Sequence, residues 1–323
     1  MQTSLATSKL FLLAKKSRIF LRVTLLSTLL APMSLAADVP KEIPLWPEGV
    51  PGIKADTSNE TEQNGIYTHT HHPKLIYYPP KPGTANGTAV IFAPGGGYVR
   101  VNIGNGSFFR WLTDNGAAVF VLIYRNQDYG EPAPLQDALR AVRILRSRAA
   151  EFGINPDRIG FLGNSAGSHL AASAGTLFND PAGKTGAPLD AVSGRPDFLI
   201  LTFPVISMEV PYAHMGSRNA LLGPNPSPDV IAHWSLEKQV TKDTPPTFLV
   251  HTMEDQVVPV ENTILFYEAL RQAGVPVEMH LYEKGPHGSG LGPNLGPTSE
   301  WPLRAEEWMR FHGWLPPATP NGQ

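Results

Sequence analysis

The chain of 323 residues is 42% hydrophobic and 17% charged, with a formal net charge of −2, the make-up of an ordinary globular protein of enzyme size. No basic excess points to nucleic acid. The absence of cysteine excludes disulfides and a lipid-carrying N-terminal Cys, so stability must come chiefly from a packed core.

Lys9, Lys15, Lys16, Arg18 and Arg22 precede a largely apolar stretch from Val23 to Leu35, which ends in Ser34-Leu35-Ala36-Ala37. Basic flank, short apolar core and small terminal residues predict a secretory signal over 1–36, cut after Ala36, and a secreted or periplasmic destination. An uncleaved anchor is the competing reading, but the apolar core is shorter than the ~20 residues a spanning helix needs. Residues 37–323 then suit a single α/β domain with an extended N-terminal arm. From Asp38 to about His72 the chain is rich in Pro, Gly, Asn and Thr, which predicts little regular structure. His69, His71 and His72 fall in this arm without a clear acidic partner and read as solvated residues, so no metal or other cofactor is expected.

Lys74 to Tyr78 is an early strand closed by Pro79-Pro80, and Ala89 to Ala93 is a strand that runs into Pro94-Gly95-Gly96-Gly97-Tyr98. A helix around Phe108 to Thr113 and a strand from Ala117 to Tyr124 follow. Leu135, Ala138, Leu139, Val142 and Leu145 recur at helical spacing, with several arginines between them on the expected outer face. Arg158 to Leu162 reads as a short buried strand, and His169 to Ala174 has helix-forming composition. Phe198 to Leu201, Thr247 to Thr252 and Val277 to Tyr282 are later strands. Strands alternating with helices predict a mostly parallel sheet covered on both faces. The connection between Leu201 and Thr247 is long enough for a binding loop or lid. Its Tyr212 and Trp234, with Tyr98 after the glycine run, are the candidate substrate contacts, packing onto the protein body being the other use for such aromatics. Trp301, Trp308 and Trp314 read as packing residues of a terminal helix.

Gly163-Asn164-Ser165-Ala166-Gly167 lies where a strand ends and a small-residue helix begins, the context a nucleophile elbow requires. A tight strand-to-helix turn is the bland alternative. Asp255 follows the Thr247–Thr252 strand and His287 follows the Val277–Tyr282 strand, in the order Ser, Asp, His. Ser165 is the candidate nucleophile, His287 the base that takes its proton, and Asp255 the acceptor that fixes the histidine tautomer. Glu254 competes for the acid position. His251 and His280 lie inside strands and read as hydrogen-bonded core histidines, and His169 as structural. Gly96, Gly97 and Ala166 are the candidate oxyanion donors, since N–H groups unobstructed by side chains can face a developing negative charge. A phosphate loop is set aside because the Gly-Lys-Ser/Thr ending is missing.

On these motifs, together with Asp255-Gln256-Val257-Val258-Pro259 and Gly285-Pro286-His287-Gly288, the chain from about Lys74 to Trp314 resembles the α/β-hydrolase superfamily. Within it the chain is similar to secreted bacterial esterases related to acetyl xylan esterases. Pro94 stands where hormone-sensitive-lipase-like relatives carry a histidine, which favours the carbohydrate-esterase branch. The resemblance implies an α/β-hydrolase fold, a metal-independent Ser-His-Asp mechanism and an acetylated polysaccharide or oligosaccharide as partner. The alternatives it leaves are a feruloyl or general short-chain esterase, a secreted peptidase similar to the prolyl-oligopeptidase group, and a binding protein on the same fold.

Overall fold

The structure is a computed structural model that describes residues 41–288 and 295–318; the expected signal over 1–36 lies outside the described residues. In chain order the elements are β1 (Lys41–Pro44), β2 (Thr61–Gln63), β3 (Ile66–Thr68), β4 (Lys74–Tyr78), β5 (Ala89–Ala93), β6 (Arg100–Asn102), α1 (Ser107–Asp114), β7 (Ala118–Ile123), α2 (Ala133–Ser147) and α3 (Ala149–Phe152). There follow β8 (Ile159–Asn164), α4 (Ala166–Thr176), β9 (Phe198–Thr202), α5 (Met215–Leu222), α6 (Pro228–His233), β10 (Thr247–Thr252), α7 (Glu261–Gln272), β11 (Val277–Tyr282) and α8 (Trp301–Phe311).

Eight strands form one sheet in the order β1-β4-β7-β5-β8-β9-β10-β11. From β7 to β11 all pairings are parallel, while β4 runs antiparallel to both β7 and β1. Every residue of β5, β7, β8, β9 and β10 is buried, as expected where helices cover both faces of a parallel sheet. Because β5, β8, β10 and β11 share one direction, the loops after them emerge along the same sheet edge. Parallel sheets place ligands at that carboxyl edge, and here it carries the glycine run, Ser165, Asp255 and His287. Among the described residues no helix is long and apolar enough to cross a membrane.

The N-terminal arm is more ordered than its composition suggests. β1 pairs with β4 at the edge of the main sheet, with Glu42 opposite Ile76, and β2, β3 and β6 form a separate three-stranded sheet. Strands of three or four residues are too short to display a period, so proline and glycine mark the turns between them and hide the strands. The three arm histidines are also partnered. His71 is buried, accepting from Tyr129 Oη at 2.6 Å and donating to Asn59 Oδ1 at 2.7 Å, while His69 meets Asp128 and His72 meets Glu60.

The arginines of α2 do not line an outer face as their spacing predicts. Arg140 and Arg143 are buried rather than outward, because the arm and the segment around Asp190 cover that face. Their polar ends are satisfied by Leu45 O and Glu48, and by Gly183 O and Asp190, respectively, as a buried cation requires. Close by, the Arg125 guanidinium and the Asp137 carboxylate pair at 2.9 Å with almost no exposure. Trp46 Nε1 of the arm donates to the same carboxylate at 2.8 Å.

Candidate active site

Ser165 sits between β8 and α4 with a φ of 54°, a conformation that costs an L-residue about 1–3 kcal/mol. Two glycines let it stay there. A Cβ on Gly163 would lie 2.4 Å from Gly167 O, and one on Gly167 would lie 2.0 Å from Ala93 O. Strand and helix therefore approach as only glycine permits, and the serine hydroxyl stands at the carboxyl edge of the sheet.

Ser165 Oγ lies 2.9 Å from His287 Nε2, and His287 Nδ1 lies 2.6 Å from Asp255 Oδ2. A carboxylate can only accept, so Nδ1 carries the proton and Nε2 presents its lone pair to the serine. Asp255 is itself held on every side. Its Oδ1 accepts the N–H groups of Val257 and Val258, each at 2.9 Å, and its Oδ2 also accepts from His251 Nε2 at 3.1 Å. Burial alone would push this carboxyl up. Hydrogen bonds from His251, His287 and the Val258 N–H outweigh it, leaving Asp255 far below the usual carboxylate range.

His251 is the residue that sequence reasoning undervalued. It is the expected buried core histidine of β10, yet its Nε2–H is shared between Asp255 and Val258 O, while Thr263 Oγ donates to its Nδ1 at 2.7 Å. The signal was its position four residues before Asp255, which returns the chain onto the strand end it has just left. Glu254, the competing acid, points away and pairs with Lys284.

The glycine run lines the same cleft as Ser165 and His287. Gly95 N–H is committed to Asn164 Oδ1 at 2.5 Å, which ties the loop to the Ser165 turn. Gly96 adopts φ 138°, and a Cβ there would lie 2.1 Å from Arg100 O. Among the described residues, the N–H groups of Gly96, Gly97 and Ala166 have no acceptor within the protein. Ala166 opens α4, so the positive end of the helix dipole adds to that field.

The expected substrate contacts fare differently. Tyr98 and Trp234 are core residues with 1% and 2% exposure. Tyr98, at φ 61°, turns its ring beneath the glycine loop and donates from Oη to His169 Nδ1, whose Nε2–H donates to Trp234 O. Burial pushes the His169 imidazole down to about 4, so it stays neutral, and this histidine is structural as expected. Tyr212 is half-buried, and its carbonyl accepts from Asn262. The aromatics that do line the cleft, of about 470 Å³, are Phe108 and Phe203. The Phe203 ring meets His287 edge-on at 4.9 Å. Neither stood out in the sequence, because each is an ordinary apolar residue at an element boundary.

The family described as BD-FAE matches residues 75–270. The chain is similar to endo-1,4-beta-xylanase B of Butyrivibrio fibrisolvens, 36% identical over 74% of this chain and 38% of the relative. It is also similar to the acetylxylan esterase of Xylanibacter ruminicola, 33% identical over 72% of this chain and 45% of the relative. The chain thus spans less than half the length of either curated relative. Among solved structures, the acetyl ester-xyloside bifunctional hydrolase from Caldicellulosiruptor lactoaceticus superposes with a TM-score of 0.74 at 39% identity, covering 85% of this chain and 97% of that one.

Proposed function

The chain belongs to the BD-FAE family of α/β-hydrolases, and from that premise we propose that it is a serine carboxylic ester hydrolase that removes O-acetyl groups from xylan-like polysaccharides or their fragments. The observation that carries this reading is the relay from Ser165 through His287 to Asp255, set beside unpaired N–H groups at one end of a cleft. His287 Nε2 takes the Ser165 proton as Oγ attacks the ester carbonyl. The N–H groups of Gly96, Gly97 and Ala166 receive the developing oxyanion. His287 then protonates the departing alcohol, and a water activated by the same nitrogen releases the acid from the acyl-serine. Asp255 stays ionised throughout and stabilises the imidazolium.

The Xylanibacter acetylxylan esterase and the Caldicellulosiruptor acetyl ester-xyloside hydrolase support an acetylated, xylose-containing substrate. Export to the periplasm or beyond, which the basic and apolar run of 1–36 suggests, agrees with a polymer that does not enter cells. Phe108 and Phe203 favour a second reading, an aromatic acyl group such as ferulate packed against their rings.

The test is acetate release from acetylated xylo-oligosaccharides beside p-nitrophenyl acetate and methyl ferulate, with Ser165→Ala in parallel. We expect release from the sugar by the wild type and a loss of about 10⁶ in kcat in the variant. Turnover of the aryl or feruloyl esters alone removes the acetyl-sugar assignment and keeps the serine mechanism.

A further inference from the structure

His214 joins the catalytic cleft to a second concavity. It caps the N-terminus of α5, its Nδ1 accepting the Ser217 N–H at 3.2 Å and standing 2.8 Å from Ser217 Oγ. A backbone N–H can only donate, so the neutral imidazole carries its proton on Nε2. Burial, followed by the neighbouring His287, holds this imidazole below its ordinary value and keeps it neutral. Among the described residues, Nε2 has no hydrogen-bond partner. The ring edge lies by the oxyanion loop, since a Cβ built on Gly97 would stand 4.0 Å from His214 Cε1.

His214 and Val257 line the cleft and also a groove of about 420 Å³ beside it. The groove wall includes Met215, Met253 and Val257, which are 44%, 57% and 47% exposed, and Pro259. Large apolar side chains left open beside a catalytic centre mark a surface made to be covered. With the carbonyl oxygen on the glycine loop, His287 must reach both Ser165 Oγ and the leaving oxygen, so the alcohol half of the ester leaves on the His287 side. Val257, whose N–H bonds the Asp255 that pairs with His287, and His214 line both cavities, and Asp255 itself lines the groove, so the His287 side of the cleft opens into it there.

We propose that this groove is the subsite for the alcohol half of the substrate, in which His214 Nε2–H donates to a hydroxyl or ring oxygen of a sugar whose C–H face rests on Met253 and Val257. The inference rests on the esterase reading above and deepens it. A sugar matches the groove because it offers both an acceptor and an apolar face. A plain alkyl alcohol fills the same space and leaves the donor unpaired, a disadvantage of about tenfold.

The test compares kcat/KM for acetates of methyl xyloside and for n-butyl acetate in the wild type and His214→Asn. Asparagine keeps the side-chain acceptor that caps α5 but is too short to reach the groove. We expect the wild type to prefer the sugar ester and the sugar-to-butyl ratio to fall about tenfold in the variant. No preference in the wild type, or a ratio within twofold of it in the variant, overturns the inference. Met253→Trp, at an exposed position, is expected to lower KM for the sugar ester severalfold by stacking on the ring, and an unchanged KM also overturns it. Acetylated xylo-oligosaccharides run in parallel separate the two readings. If the wild type shows this pattern on the xyloside acetates and releases nothing from the oligosaccharides, only the xylan assignment falls. If no ester is hydrolysed at all, both fall.

Discussion

Replacing His251 with phenylalanine removes one of four hydrogen bonds to Asp255 while filling nearly the same buried space. A hydrogen bond to a charged group contributes about 1.5–3 kcal/mol, which corresponds to a rise of roughly 1–2 units in the pKa of the carboxyl. Asp255 keeps its two backbone donors and His287, so it stays ionised at neutral pH but is less firmly placed. Small displacements of an orienting group can cost up to about 10² in rate, and we expect kcat on p-nitrophenyl acetate to fall about tenfold to a hundredfold with KM little changed. The effect on stability has a defined sign. A carboxyl depressed in the folded state contributes stability that is complete above its unfolded pKa, near ~3.9, and is lost as pH falls through the folded value. The wild type should therefore exceed His251→Phe by about 1.5–3 kcal/mol in urea unfolding at pH 5–7, and the gap should persist through the ordinary carboxylate range and narrow only once pH falls below the folded value of Asp255 in the variant, itself still depressed. His251→Gln, which keeps an N–H donor, should recover part of the rate. A kcat within twofold of wild type in His251→Phe, or a stability gap that widens in acid, refutes the reasoning.

Two further outcomes are expected. Asn164→Ala frees the Gly95 N–H and loosens the glycine loop, so kcat should drop by about 10–100-fold, less than the 10²–10³ seen when an oxyanion donor itself is lost; Asn164→Asp, which preserves the acceptor, should lose much less, and steady-state kinetics decides. Asp137→Ala leaves the buried Arg125 guanidinium without its carboxylate, and thermal or urea unfolding should show a loss of about 3–5 kcal/mol, with kcat of the protein that remains folded close to wild type.

Ser165, Asp255 and His287 could be singled out in the sequence because each sits just past an apolar strand, and a parallel sheet brings such loops to one edge. The central strands β5, β7, β8, β9 and β10 were legible because they are fully buried and largely apolar, and β11 because its apolar and polar residues alternate. Side-chain direction was not. Tyr98 follows the glycine run as a substrate contact would, but its positive φ sends the ring under the loop, and nothing in the residue type encodes that. The arginines of α2 fall at outward helical spacing, and only the cover of Trp46, Glu48 and Asp190, distant in sequence, makes that face interior. His251 satisfied both descriptions at once, a core histidine and a support of Asp255, because a strand end and the turn after it are adjacent in space.

The sheet also ranks the loops that carry the proposed triad by how well they are anchored. β8, which delivers Ser165, lies mid-sheet between β5 and β9, whereas β11, which delivers His287, pairs among the described residues with β10 alone. Outer strands open in local fluctuations that leave the interior intact. Amide hydrogen exchange should therefore run faster along 277–282 than along 159–164, and on warming the base should leave the serine before the protein as a whole unfolds. The temperature at which turnover fails is then set by the fraying of a single border strand, below the melting point of the core.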